Sequence, residues 1–324
     1  MIEPKLLSIV KRNNIDESYH YGWFLITDCN NKIIFGSNKQ YPNVFLRSSI
    51  KSVQALPLLY SNGIKEFKIT EEELAIICAS HSGERIHTNV VKRILKKINL
   101  NESYLKCGIH PPFDKETNEK LIKRNKKPNV LHCNCSGKHA GMLASCIINN
   151  WNINNYYDYN HPLQIQIRKI LLELSEEKEE NIKHGIDGCG VPTYSMNMKN
   201  IGILFNKLAT LKDNEFELIR NAFLNNPYLI GGKERGDTLL IEAGEKRFFS
   251  KSGGEAIIGV SIPNEKLSIV LKIADGSLRC IIPTIIAILN KIGINNNNLE
   301  ELKEKMSLIY NNDNKVVGNI QVLI

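Results

Sequence analysis

The chain reads as an α+β protein, and three observations point there. Residues 22–28 and 32–36 have the composition of two strands, joined by a turn at Asn30-Asn31-Lys32. Residues 247–251, 256–262 and 267–273 alternate or run apolar between turn signals, as the strands of an antiparallel sheet do. The middle of the chain is mainly helical in pattern, with no internal repeat and no regular strand–helix alternation, which argues against a parallel βαβ fold. At 324 residues the chain is long enough to bury a large core. One unit over residues 1–324, a single domain or two intimately joined lobes, is the expected organisation.

Taken in order, the first hairpin leads into residues 52–60, where Val53, Leu56, Leu59 and Tyr60 recur at helical spacing. Pro57 predicts a kink or an early end there, because it lacks a backbone donor. Residues 71–79 are acidic at first and apolar later, and fit either helix or strand. Residues 88–98 carry a helical stripe of Val90, Val91, Ile94, Leu95 and Ile98. Residues 107–112 read as a loop and 118–127 as a polar helix or linker. A buried helix is expected at 140–148 and an amphipathic one at 162–173. Asp187 to Thr193 forms a glycine-rich turn. Helices at 202–211 and 215–225 precede the second set of strands. Residues 279–292 close the pattern as a long apolar helix, with Pro283 in its first turn. The asparagine runs at 149–155 and 295–298 read as surface loops.

Hydrophobic residues make up 42% and charged residues 23%, the balance of a globular protein. Net charge is +8, but the basic residues are scattered and not interleaved with aromatics, which argues against nucleic-acid binding. No apolar run reaches membrane-spanning length. Met1-Ile2-Glu3-Pro4-Lys5 leads into no apolar signal-peptide region, so the expected compartment is the reducing cytoplasm. There the eight cysteines are expected to be buried, metal-binding or reactive rather than bridged.

The chemistry centres on Arg47-Ser48-Ser49-Ile50-Lys51. In a helical run Ser48 and Lys51 share a face. A hydroxyl is a weak nucleophile until a base takes its proton, and a neutral lysine amine can be that base. The same S-x-x-K spacing opens the signature of penicillin-binding proteins and class A β-lactamases, which continues with S-D-N and K-T-G. Here Ser80-His81-Ser82 and Lys251-Ser252-Gly253 follow in that order. The competing reading is a solvated helix face and two ordinary turns. Cys133, Cys135, Lys138, His139 and Cys189 form a candidate soft-ligand cluster, although their spacing is not that of a zinc finger; buried structural cysteines are the alternative. Gly231-Gly232-Lys233-Glu234-Arg235-Gly236 has the composition of a phosphate loop but the wrong spacing, and reads as a flexible loop.

Five segments together closely resemble the class 3 (rhizobial-type) L-asparaginases, the asparaginase II family. They are Arg47-Ser48-Ser49-x-Lys51 with Gln54-Ala55, the Ser80-His81-Ser82 loop, Cys133-x-Cys135-Ser136-Gly137-Lys138-His139-x-Gly141-Met142, Asp187-Gly188-Cys189-Gly190-x-Pro192-Thr193, and Lys251-x-Gly253. The resemblance extends from about residue 16 to the end. It implies a serine β-lactamase/glutaminase-like fold, hydrolysis of L-asparagine and a homodimer. It further implies two Ser-Lys pairs, Ser48 with Lys51 and Ser80 with Lys251, Ser48 being the nucleophile; Lys272 competes with Lys251 for that alignment. Arg47, His139 and Asp187 are implied to hold the amino acid. Cys135, Lys138 and Cys189 are implied to bind one zinc ion that serves substrate positioning. Cys133 is left without a role and reads as a core thiol. The rival readings are another Ser-Lys amidohydrolase, such as a glutaminase or a β-lactam-binding enzyme, and a non-catalytic zinc-binding protein.

Overall fold

A computed structural model describes residues 2–324. The architecture is α+β, and the chain divides into two compact units. A sheet unit comprises residues 2–49, Met196–Thr210 and Leu239–Ile324; a helical unit comprises Ile50–Ser195 and Leu211–Thr238.

The sheet unit is built on an eight-stranded antiparallel sheet. Its long central strand, Ile15–Thr27, pairs with Lys5–Arg12, with the hairpin strand Ile33–Gly36 and with Leu267–Ile273. Beyond Leu267–Ile273 come Ile257–Ile262 and then Phe249–Gly253. On the other side Lys5–Arg12 pairs with Val316–Val322, which pairs with Leu308–Tyr310.

Both faces of the central strands are covered. Phe24, Ile26, Ile258, Val260, Ile269 and Leu271 point one way, into a core shared with the helix Ile281–Lys291. Each such side chain contributes about 1.5–3 kcal/mol when fully buried. The alternate residues meet the helix Met198–Thr210. Ser268 Oγ donates to Gly202 O at 2.7 Å, and Ser261 Oγ donates to Phe205 O at 2.6 Å. Burial on two sides explains why residues 257–262 read as a continuous apolar run rather than an alternating one. Gly259 lies under the Phe205 ring, where an added Cβ would fall 2.2 Å from Phe205 Cζ. Gly259→Ala is therefore expected to destabilise the sheet unit by about 1–3 kcal/mol, measured as a shift in the urea midpoint at constant slope.

The helical unit packs around Ser136–Ile148, which lies against Lys51–Tyr60, Glu71–Ile77 and Arg85–Lys97. Its other long helices are Pro162–Ser175 and Asn214–Asn225. Two glycines one turn apart, Gly137 and Gly141, let Ser136–Ile148 close on the end of Glu71–Ile77. An added Cβ would stand 2.2 Å from Ile76 O at the first and 2.5 Å from Ile77 Cγ2 at the second.

The ambiguous segment at 71–79 is a helix because Thr70 and Glu73 form a reciprocal capping box. The helix Lys51–Tyr60 runs through Pro57 instead of ending there. Only one turn follows the proline, and Val53, Leu56 and Leu58 are fully buried around it. The asparagine run at 295–298 also differs from expectation: Asn296 caps the helix Asn297–Ser307 by accepting from Leu299 N. Among the described residues no helix is long and apolar enough to cross a membrane, and all eight cysteines are unbridged.

Candidate active site

Lysine is almost never fully buried unless partnered, yet Lys51, Lys138 and Lys251 are 0%, 2% and 1% exposed. In the helical unit Lys51 begins its helix, and its Nζ donates to Ala79 O at 2.6 Å, Ser80 Oγ at 2.9 Å and Asn134 O at 3.3 Å. Three acceptors match the three donors of an ammonium group. A neutral amine would keep two N–H bonds to the carbonyls and turn its lone pair to a hydroxyl.

Ser80 follows the helix that Gly137 and Gly141 admit, and its N–H donates to Ile230 O at 3.0 Å. His81 beside it is fully buried. Its Nδ1 accepts from Gly83 N, so Nε2–H donates to Ser136 Oγ at 2.9 Å, and Ser136 Oγ donates to Leu131 O. Burial, then the neighbouring His87 and Lys51, hold His81 well below the usual imidazole range and therefore neutral.

Cys135, Lys138 and Cys189 come together in the same unit. Cys135 precedes the helix Ser136–Ile148, Lys138 lies in its first turn, and Cys189 sits in the turn between the paired strands Lys183–Ile186 and Pro192–Asn197. That turn is closed by Asp187 N–H to Val191 O and by Gly190 at φ +85°. Lys138 Nζ donates to Cys189 Sγ at 2.9 Å. Hydrogen bonds from Cys133 and Cys189 push the Cys135 thiol well down, with Lys51 and Lys138 adding their charge against the effect of burial. Cys133 is pushed up by its hydrogen bond with Cys107, then by the one with Cys135 and by burial; Cys189 is pushed up by its bond with Cys135 and by burial. Burial works to lower Lys138, but Cys189, Cys135 and Asp187 outweigh it and raise the amine. Cys133 also donates to Cys107 O at 3.4 Å, a bond the spacing did not suggest.

His139 points to a different set of partners from the adjacent Lys138. Tyr156 Oη accepts from Lys106 N and is hydrogen-bonded to His139 Nδ1 at 2.7 Å; in the tautomer where the phenol donates, the neutral ring carries its proton on Nε2. His139 Nε2 is buried and has no hydrogen-bond partner among the described residues. Asp187 is half-buried, and its Oδ1 accepts from Gly188 N.

In the sheet unit Arg47 has φ +50° and leads into the short helical turn Arg47–Ile50, which carries the half-buried Ser48. Gly253 and Gly254 follow the Lys251 strand closely enough that an added Cβ would lie 2.6 Å from Leu46 O at Gly253 and 3.2 Å from Arg47 Cζ at Gly254. The glycines thus lay the strand end against Arg47. Lys251 Nζ donates to Ser252 O at 3.0 Å. Lys272, the competing lysine, is only half-buried, and its Nζ donates to Glu255 O and Ile273 O.

Two buried sulfurs are donors that zinc accepts, and Lys138 can complete the set of Cys135, Lys138 and Cys189 only as the neutral amine, after giving up the proton it shares with Cys189. Among the described residues no three His, Cys, Asp or Glu side chains group to hold a metal, so a zinc ion here needs the lysine as its third protein donor. Several participants were hidden from sequence reasoning. Asn134 and Ala79 act through backbone carbonyls, which no side-chain pattern reports. Tyr156 lies just beyond an asparagine-rich loop and carries no local signal.

A comparison with curated proteins found no match. A family model for L-asparaginase II matches residues 9–322, nearly the whole length and every residue of the candidate site. This extent of match is what the five motifs and the buried lysines lead to: the chain belongs to the L-asparaginase II family, whose members are amidohydrolases acting on a small-molecule substrate.

Proposed function

We propose that the chain hydrolyses the side-chain amide of L-asparagine to L-aspartate and ammonia through a serine acyl-enzyme. The family match over residues 9–322 carries this reading, and the buried Lys51 amine supports its chemistry. With Lys51 neutral, its N–H groups donate to Ala79 O and Asn134 O and its lone pair serves as the base. Ser48 Oγ attacks the amide carbon as its proton passes to Lys51. The nitrogen then leaves as ammonia, taking that proton, and a serine ester remains. Water attacks the ester, Lys51 takes its proton and returns it to Ser48 Oγ, and L-aspartate is released. Ser80 and Lys251 relay protons. The Arg47 guanidinium suits the α-carboxylate, the Asp187 carboxylate suits the α-ammonium, and His139 Nε2–H is a buried donor available to the substrate. When bound by Cys135, Lys138 and Cys189, zinc supplies a fixed positive charge for orienting the substrate.

A second reading rests on one observation. Lys51 is hydrogen-bonded to Ser80 Oγ, which favours Ser80 as the hydroxyl that Lys51 activates. Ammonia release from L-asparagine, with L-glutamine in parallel, by wild type, Ser48→Ala and Ser80→Ala decides between them. A folded Ser48→Ala without activity supports Ser48 as nucleophile; an active Ser48→Ala with a dead Ser80→Ala transfers the role to Ser80. Preference for glutamine makes the protein a glutaminase, and hydrolysis of a chromogenic cephalosporin makes it a β-lactam-binding enzyme. Folded, zinc-supplied wild type that releases no ammonia from either amide sinks the amidase reading.

Metal analysis is expected to find zinc in proportion to protein, and Cys135→Ser is expected to lose it. Zinc retained in both Cys135→Ser and Cys189→Ser would remove the metal assignment; zinc without amidase activity would favour a non-catalytic zinc-binding protein. The reading also carries a serine β-lactamase/glutaminase-like fold, a cytoplasmic location and a homodimer. Light scattering at twice the 36.8 kDa chain mass would support the dimer.

A further inference from the structure

Within the helical unit the backbone of Ser80 is held by a segment far from it in sequence, the short helix Pro227–Ile230 and the loop that follows. Ser80 N–H donates to Ile230 O at 3.0 Å, and Ser82 Oγ donates to Gly231 O at 2.9 Å. On its other side Ser82 O accepts from Asp114 N at 3.1 Å.

Glu84 holds the loop in turn. Its Oε2 accepts from Tyr228 Oη at 2.6 Å and its Oε1 accepts from Lys233 N at 3.1 Å. The carboxylate thus grips the loop two residues before Ile230 and two residues after Gly231. His87 lies alongside: Nε2–H donates to Tyr228 O at 3.2 Å, the imidazole stacks on the Tyr228 ring, and Nδ1 is 3.8 Å from Glu84 Oε1. Gly232 makes the fit possible. At φ +110° an added Cβ would fall 2.5 Å from Glu84 Oε1 and 2.9 Å from Ser82 Oγ.

We propose that Glu84 is a positioning residue for the hydrolytic reaction, bracing the short helix Pro227–Ile230 and the turn after it so that Ser80 keeps its register with Lys51. It touches neither Ser80 Oγ nor Lys51 Nζ, and acts through Ile230 O and Gly231 O. The proposal rests on the reading in which the Lys51–Ser80 contact serves the chemistry.

Glu84→Ala is expected to lower kcat for L-asparagine about 10–100-fold, the penalty for reacting groups displaced by up to about an ångström, with KM within about twofold because the substrate's charged groups are held by other residues. Glu84→Gln is expected to restore most of kcat, since its amide oxygen can accept from Lys233 N while its NH2 donates to Tyr228 Oη. Tyr228→Phe removes one of the two bonds and is expected to show a smaller fall in kcat; it serves as the second variant where Glu84→Ala does not fold. Amide exchange at Ser80 should quicken in Glu84→Ala and return to the wild-type rate in Glu84→Gln. Unchanged kcat in Glu84→Ala, or in Tyr228→Phe where the first does not fold, overturns the proposal. A Glu84→Gln as impaired as Glu84→Ala at equal melting temperature overturns it as well. Ser80→Ala separates the two levels. Full activity in that variant removes the catalytic reading and the proposal with it, whereas a dead Ser80→Ala beside an unimpaired Glu84→Ala removes the proposal alone.

Discussion

Lys51→Met is expected to lower kcat for amide hydrolysis by about 10²–10⁴-fold, the usual contribution of a positioned general base, in a chain that still folds. Methionine keeps the unbranched stem that fills the space beside Ala79 and Asn134, and removes only the amine. Two stability effects oppose each other. Ala79 O and Asn134 O lose a donor, which costs about 1–3 kcal/mol for each buried group left unsatisfied. Against this, an apolar side chain no longer carries the penalty of holding a polar amine out of water. The melting temperature should therefore move by only a few degrees while turnover collapses. Lys51→Arg sharpens the test. A guanidinium keeps the positive charge but cannot lose its proton in a protein, so this variant is expected to be as inactive as Lys51→Met. Wild-type kcat in a folded Lys51→Arg would mean that charge suffices and that Lys51 is not the base.

Gly137→Ala should be nearly as damaging although the residue carries no reactive group. Its Cβ would stand 2.2 Å from Ile76 O and 2.8 Å from Ile76 C, both main-chain atoms that no rotamer change can move aside. The helix Ser136–Ile148 gains at most about 1 kcal/mol in propensity from alanine. Overpacking costs about 1–3 kcal/mol or more, so the net sign is destabilising. The displaced element is the helix Glu71–Ile77, and Ala79 and Ser80 follow directly behind it. Separating the two helices pulls both partners away from Lys51. A loss of kcat of more than about tenfold is expected, together with a melting temperature lower by several degrees. Activity that stays intact in Gly137→Ala would show that the contact between Lys51 and Ser80 tolerates a shift of the helix that carries Ser80.

The helix Arg85–Lys97 was legible because its signal is local: the apolar stripe at 88–98 marks one face. Glu71–Ile77 stayed ambiguous between helix and strand, because its short run mixes three carboxylates with apolar residues, and the Thr70–Glu73 capping box is what decides it. The strands expected at 247–251, 256–262 and 267–273 were legible from their apolar runs, the first lying two residues later, at Phe249–Gly253. The strands Lys5–Arg12 and Val316–Val322 were not, since both are partly polar and what makes them strands is each other, across the length of the chain. At the site, Lys51, Ser80, Cys135, Lys138 and Cys189 were visible as residue types in suggestive motifs. The bond from Lys51 to Ser80 was not, because it depends on how closely two helices approach, and that approach rests on the missing side chains of Gly137 and Gly141. Glu84 was passed over for a related reason. Nothing near it in sequence distinguishes it from any other surface carboxylate, and its partners are Tyr228 and Lys233.

The pairing of Lys5–Arg12 with Val316–Val322 also bears on how the chain acquires its structure. Ser8 opposite Val322 is a contact between residues more than 300 positions apart, and such distant pairings slow folding because a long loop must close before they contribute. During synthesis the strand Lys5–Arg12 has one of its two neighbours at once, in Ile15–Thr27, and waits for the other until the last strand leaves the ribosome. The helical unit needs no residue beyond Thr238, so its segments are complete while the sheet unit still lacks five of its strands. In that interval Lys5–Arg12 presents a bare hydrogen-bonding edge, the kind of surface on which a second nascent chain can add a strand. Overexpression should thus be limited by aggregation through this edge, and slower translation of the final hundred residues should worsen it.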